Sequence, residues 1–120
     1  MTSYKELDVW RKSVSLAVEV YSITNHFPRE EKFGLTIQSR RAATSVPANI
    51  AEGWGRGSRK EYIQFLTVAR GSLMELETHL TIARELAYAT GDELEPVRTK
   101  ITDVGKMLNK LIYALKNPTA

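Results

Sequence analysis

The apolar positions of this chain recur at spacings of three and four residues, the periodicity of helices that bury one face. Four such segments are separated by glycine, proline or polar turns. No segment shows the period-two alternation of a strand. The expected helices cover residues 5–25, 33–52, 59–90 and 93–116. Four amphipathic helices joined by short connections predict an all-α fold, an antiparallel up-down-up-down four-helix bundle.

The second predicted helix is unusual because residues 38–49 are almost all small or polar. Such a surface predicts a close approach by neighbouring helices. Pro47 lies inside this helix, where it removes one backbone hydrogen bond and is expected to introduce a kink. A kink that only shapes the bundle is favoured over a switching role.

The third predicted helix follows a glycine-rich turn and is expected to begin with a capping box formed by Ser58 and Glu61. Close packing by another helix is the expected reason for Gly71 in its middle. At roughly 48 Å, against roughly 30 Å for the first two helices, it is expected to overhang the bundle or to be covered by another chain. Its predicted end is Gly91, and Asp92 and Glu95 are the predicted capping box of the fourth helix. Three glycines are expected to break the second helix before the third: Gly53, Gly55 and Gly57.

The length of 120 residues predicts one domain spanning the whole chain. Cysteine is absent, which excludes disulfides and thiolate metal sites and favours a reducing compartment. No segment is apolar enough to cross a bilayer, and the N-terminus lacks the apolar core of a signal peptide. We therefore expect a cytoplasmic protein that does not interact with membranes.

The net charge of +3 is distributed unevenly along the chain. Residues 32–60 carry six bases and one acid, whereas residues 61–95 carry two bases and seven acids. Residues 96–120 are basic again, with five bases and one acid. Such alternation is consistent either with a basic face for nucleic acid or with complementary faces between neighbouring helices.

Short motifs are spread along the chain: RRA at 40–42, NIAEG at 49–53, GSL at 71–73 and ELE at 75–77. In this order the sequence resembles the bacterial four-helix-bundle proteins encoded in 23S rRNA intervening sequences. Relatives of that family include the accessory variability determinants of diversity-generating retroelements. The resemblance implies a homo-oligomer, a ring-like pentamer, that binds nucleic acid and in some members a reverse transcriptase. It implies no known chemistry.

The residues themselves contain no catalytic constellation. His26 and His79 lie on different predicted helices, without the HExxH or ExxH spacing that places two ligands on one helical face. A structural or solvated role is therefore favoured for both. We expect no catalytic residue, no metal and no cofactor, and hence a protein that is not an enzyme.

The turn at residues 53–60 is a candidate phosphate site, because its glycines can expose backbone amides and it leads into a helix N-terminus. Arg56, Arg59 and Lys60 are the predicted phosphate contacts, and Trp54 is available to stack on a base. The turn lacks the GxxxxGK[ST] pattern of a nucleotide-binding loop. The alternative is an ordinary turn with Trp54 folded onto the bundle.

Arg40 and Arg41 are also candidates for nucleic-acid binding, and adjacent helical residues point about 100° apart. One is expected to pair with an acid, such as Glu52 or a glutamate of the third helix. The other is expected to face a neighbouring subunit or a central channel. Asn49 and Glu52, one turn apart, are interpreted as a buried polar pair.

These observations lead to two hypotheses. The first is a non-enzymatic homo-oligomeric bundle that binds RNA or DNA electrostatically, with little sequence readout. Its candidate residues are Arg40, Arg41, Trp54, Arg56, Arg59, Lys60, Lys106 and Lys110. The alternative is a protein-interaction scaffold that docks a partner such as a reverse transcriptase.

Overall fold

The computed structural model describes residues 2–119 and consists of helices and turns in that range. Two short 3-10 helices, Tyr4–Glu6 and Arg29–Glu31, accompany the four long helices. The long helices are α1 (Asp8–Thr24), α2 (Leu35–Gly55), α3 (Arg59–Glu85) and α4 (Gly91–Lys116).

Each long helix packs against its neighbours in sequence, and α1 also packs against α4. This arrangement confirms the predicted four-helix bundle. The molecule is elongated, measuring 48 × 23 × 20 Å. Between residues 2 and 119, no helix combines the length and the apolar character that crossing a membrane requires.

The apolar stripes of the four helices meet in one core, as their periodicity predicts. Leu16 of α1, Ile50 of α2, Leu66 and Leu76 of α3, and Leu108 of α4 are completely buried. Burial of each such side chain contributes about 1.5–3 kcal/mol relative to exposure. Small residues supply the rest of the core on α2, where Ala42 and Ala43 are buried.

The most extensive contact in the bundle is between α2 and α3. Gly53 shows how closely they approach, because a Cβ at this position would lie 2.7 Å from the Cβ of Phe65. The hydroxyls of Ser45 and Ser72 are 2.9 Å apart across the same interface. The prediction of a close approach by α2 is thus confirmed.

The glycine-rich turn begins later than predicted. The second helix continues through Gly53 and ends at Gly55, whereas the sequence predicted an end at residue 52. Gly57 has a φ of +84°, which favours glycine, and it separates α2 from α3. Gly53 therefore serves packing rather than helix termination.

The third helix ends at Glu85, five residues before its predicted end. Ala87 has a φ of +62°, and the backbone N–H groups of Ala87 and Tyr88 donate to the carbonyls of Arg84 and Ala83. This is a Schellman motif, although its left-handed position holds alanine instead of the usual glycine. The motif turns the chain so that Tyr88 packs against Phe27, at 5.8 Å between ring centroids. α3 has 27 residues and α4 has 26, so α4 accompanies α3 along most of its length.

The predicted capping boxes also need correction. Gly91 is the first residue of α4, and the box consists of Thr90 and Glu93 instead of Asp92 and Glu95. At the start of α3, the hydroxyl of Ser58 accepts from the backbone N–H of Glu61 as predicted. The Glu61 carboxylate, however, bonds to the Ser58 hydroxyl and to a neighbouring arginine instead of to the Ser58 backbone.

Candidate nucleic-acid interface

The antiparallel order sorts the connections to two ends of the bundle. The tryptophan end holds Trp10, Trp54, the turn at residues 56–58 and the C-terminus of α4. The distal end holds the connections at residues 25–34 and 86–90. The predicted basic residues are therefore divided among three regions. Those of the α2–α3 turn lie at the tryptophan end, Arg40 and Arg41 lie in the distal half of α2, and Lys106 and Lys110 lie in the C-terminal half of α4.

Arg56, the first basic residue of the α2–α3 turn, is held by acids of its own neighbourhood. Its Nε donates to the Glu61 carboxylate at 2.9 Å, and its Nη1 lies 4.0 Å from the carboxylate of Glu52. The guanidinium also lies 5.3 Å from the ring centroid of Phe65. The hydrogen bond to Glu61 raises the pKa of Arg56, and the same bond lowers the pKa of the Glu61 carboxyl. These contacts stabilise the α2–α3 turn and pair the charge of Arg56 within the protein.

Arg59 and Lys60 differ from Arg56 because both are exposed and neither forms an ion pair within residues 2–119. They occupy the first turn of α3. Because they are not neutralised by the protein, these two residues are the part of the turn available to a phosphate backbone.

Trp54 is half-buried and belongs to an aromatic cluster with the N-terminal 3-10 helix. The ring of Tyr4 lies 6.3 Å from that of Trp54 and 5.3 Å from that of Trp10, both in edge-on geometry. This placement supports the alternative in which Trp54 folds onto the bundle. The cluster ties α1, α2 and the N-terminus together at the tryptophan end.

The sequence predicted that either Arg40 or Arg41 would pair with an acid. In the structure, Arg40 instead binds the C-terminal end of α1. Its Nε donates to the Thr24 hydroxyl at 2.9 Å and its Nη2 to the Tyr21 carbonyl at 3.4 Å. The guanidinium stacks over the Tyr21 ring at 4.5 Å. A cation is favourable here because helix C-termini carry partial negative charge, and α1 has no base in its own last turn. Arg41 is exposed.

The expected pair of Asn49 and Glu52 does not form. The Asn49 amide donates to the carbonyl and the hydroxyl of Ser45, at 2.8 and 2.9 Å. Glu52 is exposed and faces Arg56 instead. The two side chains point to different neighbours although they are separated by a single helical turn.

The C-terminal half of α4 carries an exposed strip that we call the α4 basic strip: Lys106, Asn109, Lys110 and Tyr113. These residues recur at spacings of three and four, so they share one face of the helix. All four are exposed, and the Tyr113 side chain is 65% exposed. Residues 106–116 include three lysines and no acid.

Arg70 of α3 joins this strip, although sequence reasoning did not single it out. Its Nη1 donates to the Asn109 side-chain oxygen at 3.0 Å. Arg70 and Lys106 also line the same groove between α3 and α4, which has a volume of about 260 Å³. Arg70 could have been predicted to join the strip from the antiparallel packing of α3 and α4, because this packing places the middle of α3 opposite the lysines of α4.

The two histidines are separated in space as well as in sequence. His26 is exposed beside the α4 N-terminus, and His79 is half-buried on α3. Within the described range, no group of three or more His, Cys, Asp or Glu side chains is placed to hold a metal ion.

Among residues 2–119, no helix packs against the outward face of α3 at Gly71. Gly71 was expected to receive another helix, but a Cβ at this position would meet nothing within 4 Å. Val68, Met74 and Ile82 share that face and are exposed. The close packing predicted for Gly71 is therefore not provided by the bundle itself.

The fold and these surfaces define a four-helix bundle protein with an exposed strip of lysines and a tyrosine. Residues 5–110 match the 23S rRNA-intervening sequence protein family, and the chain belongs to that family. Its structure is similar to the crystal structure of a protein of unknown function from the S23 ribosomal protein family of Bacteroides thetaiotaomicron VPI-5482. The two chains are 28% identical with a TM-score of 0.80, over 87% of this chain and 97% of that one. No curated protein matches this chain.

Proposed function

We propose that this protein is a non-enzymatic homo-oligomer, a ring-like pentamer, that binds RNA or DNA through phosphate contacts with little sequence readout. The observation that carries this proposal is the α4 basic strip. Its lysines are exposed and are not balanced by acids on residues 106–116. Lysine ammonium groups that neutralise phosphates release counterions, and this release drives sequence-independent binding.

The geometry of the strip suits a flexible strand better than a point ligand. Tyr113 offers an exposed ring on which a base can stack, three residues from Lys110 on one side and from Lys116 on the other. Arg70 and Asn109 add a fixed guanidinium and an amide beside Lys106. Arg59 and Lys60 extend the basic surface toward the tryptophan end of the bundle.

Oligomerisation would strengthen such binding. A single chain has a net charge of only +3. Symmetry repeats the strip on each copy, so an assembled ring presents several strips to one nucleic acid and gains from their high effective concentration. The unpartnered outward face of α3 is the proposed contact between copies.

The proposal is tested with labelled structured RNA in a salt series, after nuclease treatment of the protein. We expect a log-log slope of several units. The variant Lys106→Gln/Lys110→Gln should make the slope shallower by about 1.5 to 2, because two phosphate contacts are lost. The matched control is Ser15→Glu/Ser22→Glu, which lowers the net charge by the same amount on the exposed face of α1. Equal weakening by both variants would mean that only net charge matters and that the strip is not the site.

A second function is favoured by the apolar residues on the outward face of α3. Val68 and Met74 are exposed one turn on either side of Gly71, and Ile82 is exposed further along the same face; exposed apolar side chains of this kind are typical of protein contacts. In this alternative the bundle is a scaffold that docks a reverse transcriptase. Purification of the protein from its host should then recover a reverse transcriptase in fixed ratio. Recovery that is lost after nuclease treatment would indicate bridging RNA instead.

A further inference from the structure

The distal end of the bundle contains a basic cleft separate from the α4 basic strip. We call it the distal cleft; it has a volume of about 320 Å³. The polar side chains that line it are Thr24, Asn25, Arg29, Lys32, Thr36 and Arg40. Three are cations and three are neutral hydrogen-bonding residues, and no carboxylate of residues 2–119 lines the cleft.

The two acids of the connection at residues 25–34, Glu30 and Glu31, do not line the cleft. One oxygen of the Glu31 carboxylate accepts from the Leu35 backbone N–H at 3.0 Å, and the other accepts from the Tyr88 hydroxyl at 2.8 Å. Glu30 is exposed and does not line the cleft. None of the three cations forms an ion pair within residues 2–119, which leaves their charge available to an external anion.

Arg40 is held in place before any ligand arrives. Its Nε and Nη2 bond to Thr24 and Tyr21, and its guanidinium stacks on the Tyr21 ring. No intramolecular hydrogen bond of Nη1 is present in the described part of the chain, so this group is free to donate to an anion in the cleft. A guanidinium fixed on an aromatic ring loses little freedom on binding phosphate.

Two exposed aromatic rings, Phe33 and Tyr21, lie against cations that line the cleft but are not themselves lining residues. Phe33 is 85% exposed, and the Lys32 ammonium lies 5.4 Å from its ring centroid. Tyr21, beneath Arg40, is 46% exposed. Phe33 has no part in the core, so its exposure is not explained by packing. Cations beside exposed aromatic rings are the composition of sites for single-stranded nucleic acid, where phosphates bind the cations and bases stack on the rings.

We propose that the distal cleft binds a single-stranded nucleic acid, with a backbone phosphate held by Arg29, Lys32 and Arg40 and an unpaired base stacked on Phe33. This inference deepens the proposed function and rests on it. It assigns to the protein a second contact region, at the opposite end of the bundle from the α2–α3 turn. A strand engaging both regions would follow the long axis of the molecule.

The test uses a fluorescein-labelled oligouridylate of about 10 nucleotides, within the usual footprint of single-strand sites. Phe33→Ala should weaken binding from about fivefold to about a hundredfold, whereas Phe33→Tyr should retain it because the ring remains. Arg29→Gln/Lys32→Gln should make the salt slope shallower by about 1.4. Arg40 is left intact, because its role at the end of α1 would confound the result.

The control that separates the two proposals is Lys106→Gln/Lys110→Gln. If this variant weakens oligouridylate binding and the Phe33 and Arg29/Lys32 variants do not, the distal cleft is not a site, and the proposed function stands. If only the distal variants weaken it, the cleft is the site and the α4 strip is not.

A second measurement covers the case in which the protein binds neither the oligouridylate nor the structured RNA, which would overturn the proposed function. Uridine 5′-monophosphate is then titrated while amide NMR signals of Thr24, Lys32 and Thr36 are followed. Saturable shifts confined to these residues, and absent from Arg29→Gln/Lys32→Gln, would support the cleft. The absence of shifts would overturn it.

Discussion

Gly53 determines the spacing between the two helices that make the most extensive contact in the bundle. The Cβ position of any other residue would lie 2.7 Å from Phe65 Cβ and 3.1 Å from a ring carbon of Tyr62. Neither of these atoms is the far end of a flexible chain, so α2 and α3 would have to separate. The neighbouring Gly55 has open space around it. Two glycines of one turn therefore have different physical roles.

For this reason we expect Gly53→Ala to lower the free energy of unfolding by about 1–3 kcal/mol. Overpacking of the interface should outweigh the gain in helix propensity of about 1 kcal/mol. Gly55→Ala is the matched control and should be neutral or slightly stabilising. Urea denaturation followed by circular dichroism measures both. Equal stability of the two variants would show that the α2–α3 interface adapts without cost.

Individual residues also show where sequence reasoning stops. The sequence identified Arg40 and Arg41 as differently placed but could not choose their partners, because the choice depends on the rotation of α2 about its axis. Arg40 faces the end of α1, where the Thr24 hydroxyl and the Tyr21 carbonyl substitute for the expected acid. For Asn49, the carbonyl and hydroxyl of Ser45 lie one turn earlier and replace the expected Glu52. Local backbone groups competed successfully with charged side chains.

At the scale of elements, the two connections of the distal end are tied together through Glu31. Its carboxylate accepts from the Leu35 backbone at the start of α2 and from Tyr88 after α3. These two hydrogen bonds, the Leu35 bond first, lower the pKa of Glu31 from its usual 4.5. The bond to Glu31 raises the pKa of Tyr88.

The two hydrogen bonds of Glu31 predict that the free energy of unfolding decreases in acid. Since the folded-state pKa of Glu31 is below its unfolded value, its contribution is fully present above about pH 4.5 and is lost as pH falls through the folded-state pKa. Glu31→Gln should be less stable than wild type at neutral pH and should lose less further stability in acid. Glu30→Gln, at the exposed neighbour, is the control. The measurement is urea denaturation at several pH values from neutral to strongly acidic. Parallel curves for wild type and Glu31→Gln would contradict the assignment.

The boundaries of elements were the least predictable feature of the fold. The apolar register of α3 continues to Ala87, so the sequence predicted a helix to residue 90. The structure ends it at Glu85 because Tyr88 and Ala89 are recruited to the core at the distal end. A left-handed alanine cannot be recognised from sequence, since glycine or asparagine is the usual residue there. The four helices themselves followed from periodicity alone.

At the scale of the whole molecule, the core explains most apolar residues but not the outward face of α3. A glycine in the middle of a 27-residue helix costs about 1 kcal/mol relative to alanine, and no neighbour among residues 2–119 offsets that cost. Another chain packed closely at Gly71 would do so. The sequence predicted a partner helix at Gly71, and none of the helices within residues 2–119 packs there.

We therefore expect Gly71→Arg to abolish assembly while the isolated bundle becomes more stable by up to about 1 kcal/mol, because arginine is a better helix former. Light scattering gives the native mass, and thermal unfolding of the dissociated chain gives its stability. Ser15→Arg adds the same charge on the exposed face of α1 and should leave assembly intact. An unchanged mass for Gly71→Arg would place the contact between copies elsewhere.

The aromatic cluster at one end has an optical consequence. The chain has only two tryptophans, and both contact Tyr4. Emission excited selectively in tryptophan therefore originates at the tryptophan end of a molecule 48 Å long and reports on that end rather than on the distal cleft. Because the chain has no cysteine, one introduced thiol near Phe33 would carry a unique dye. Tryptophan emission and dye emission would thus report separately on the two ends of the bundle as a strand binds.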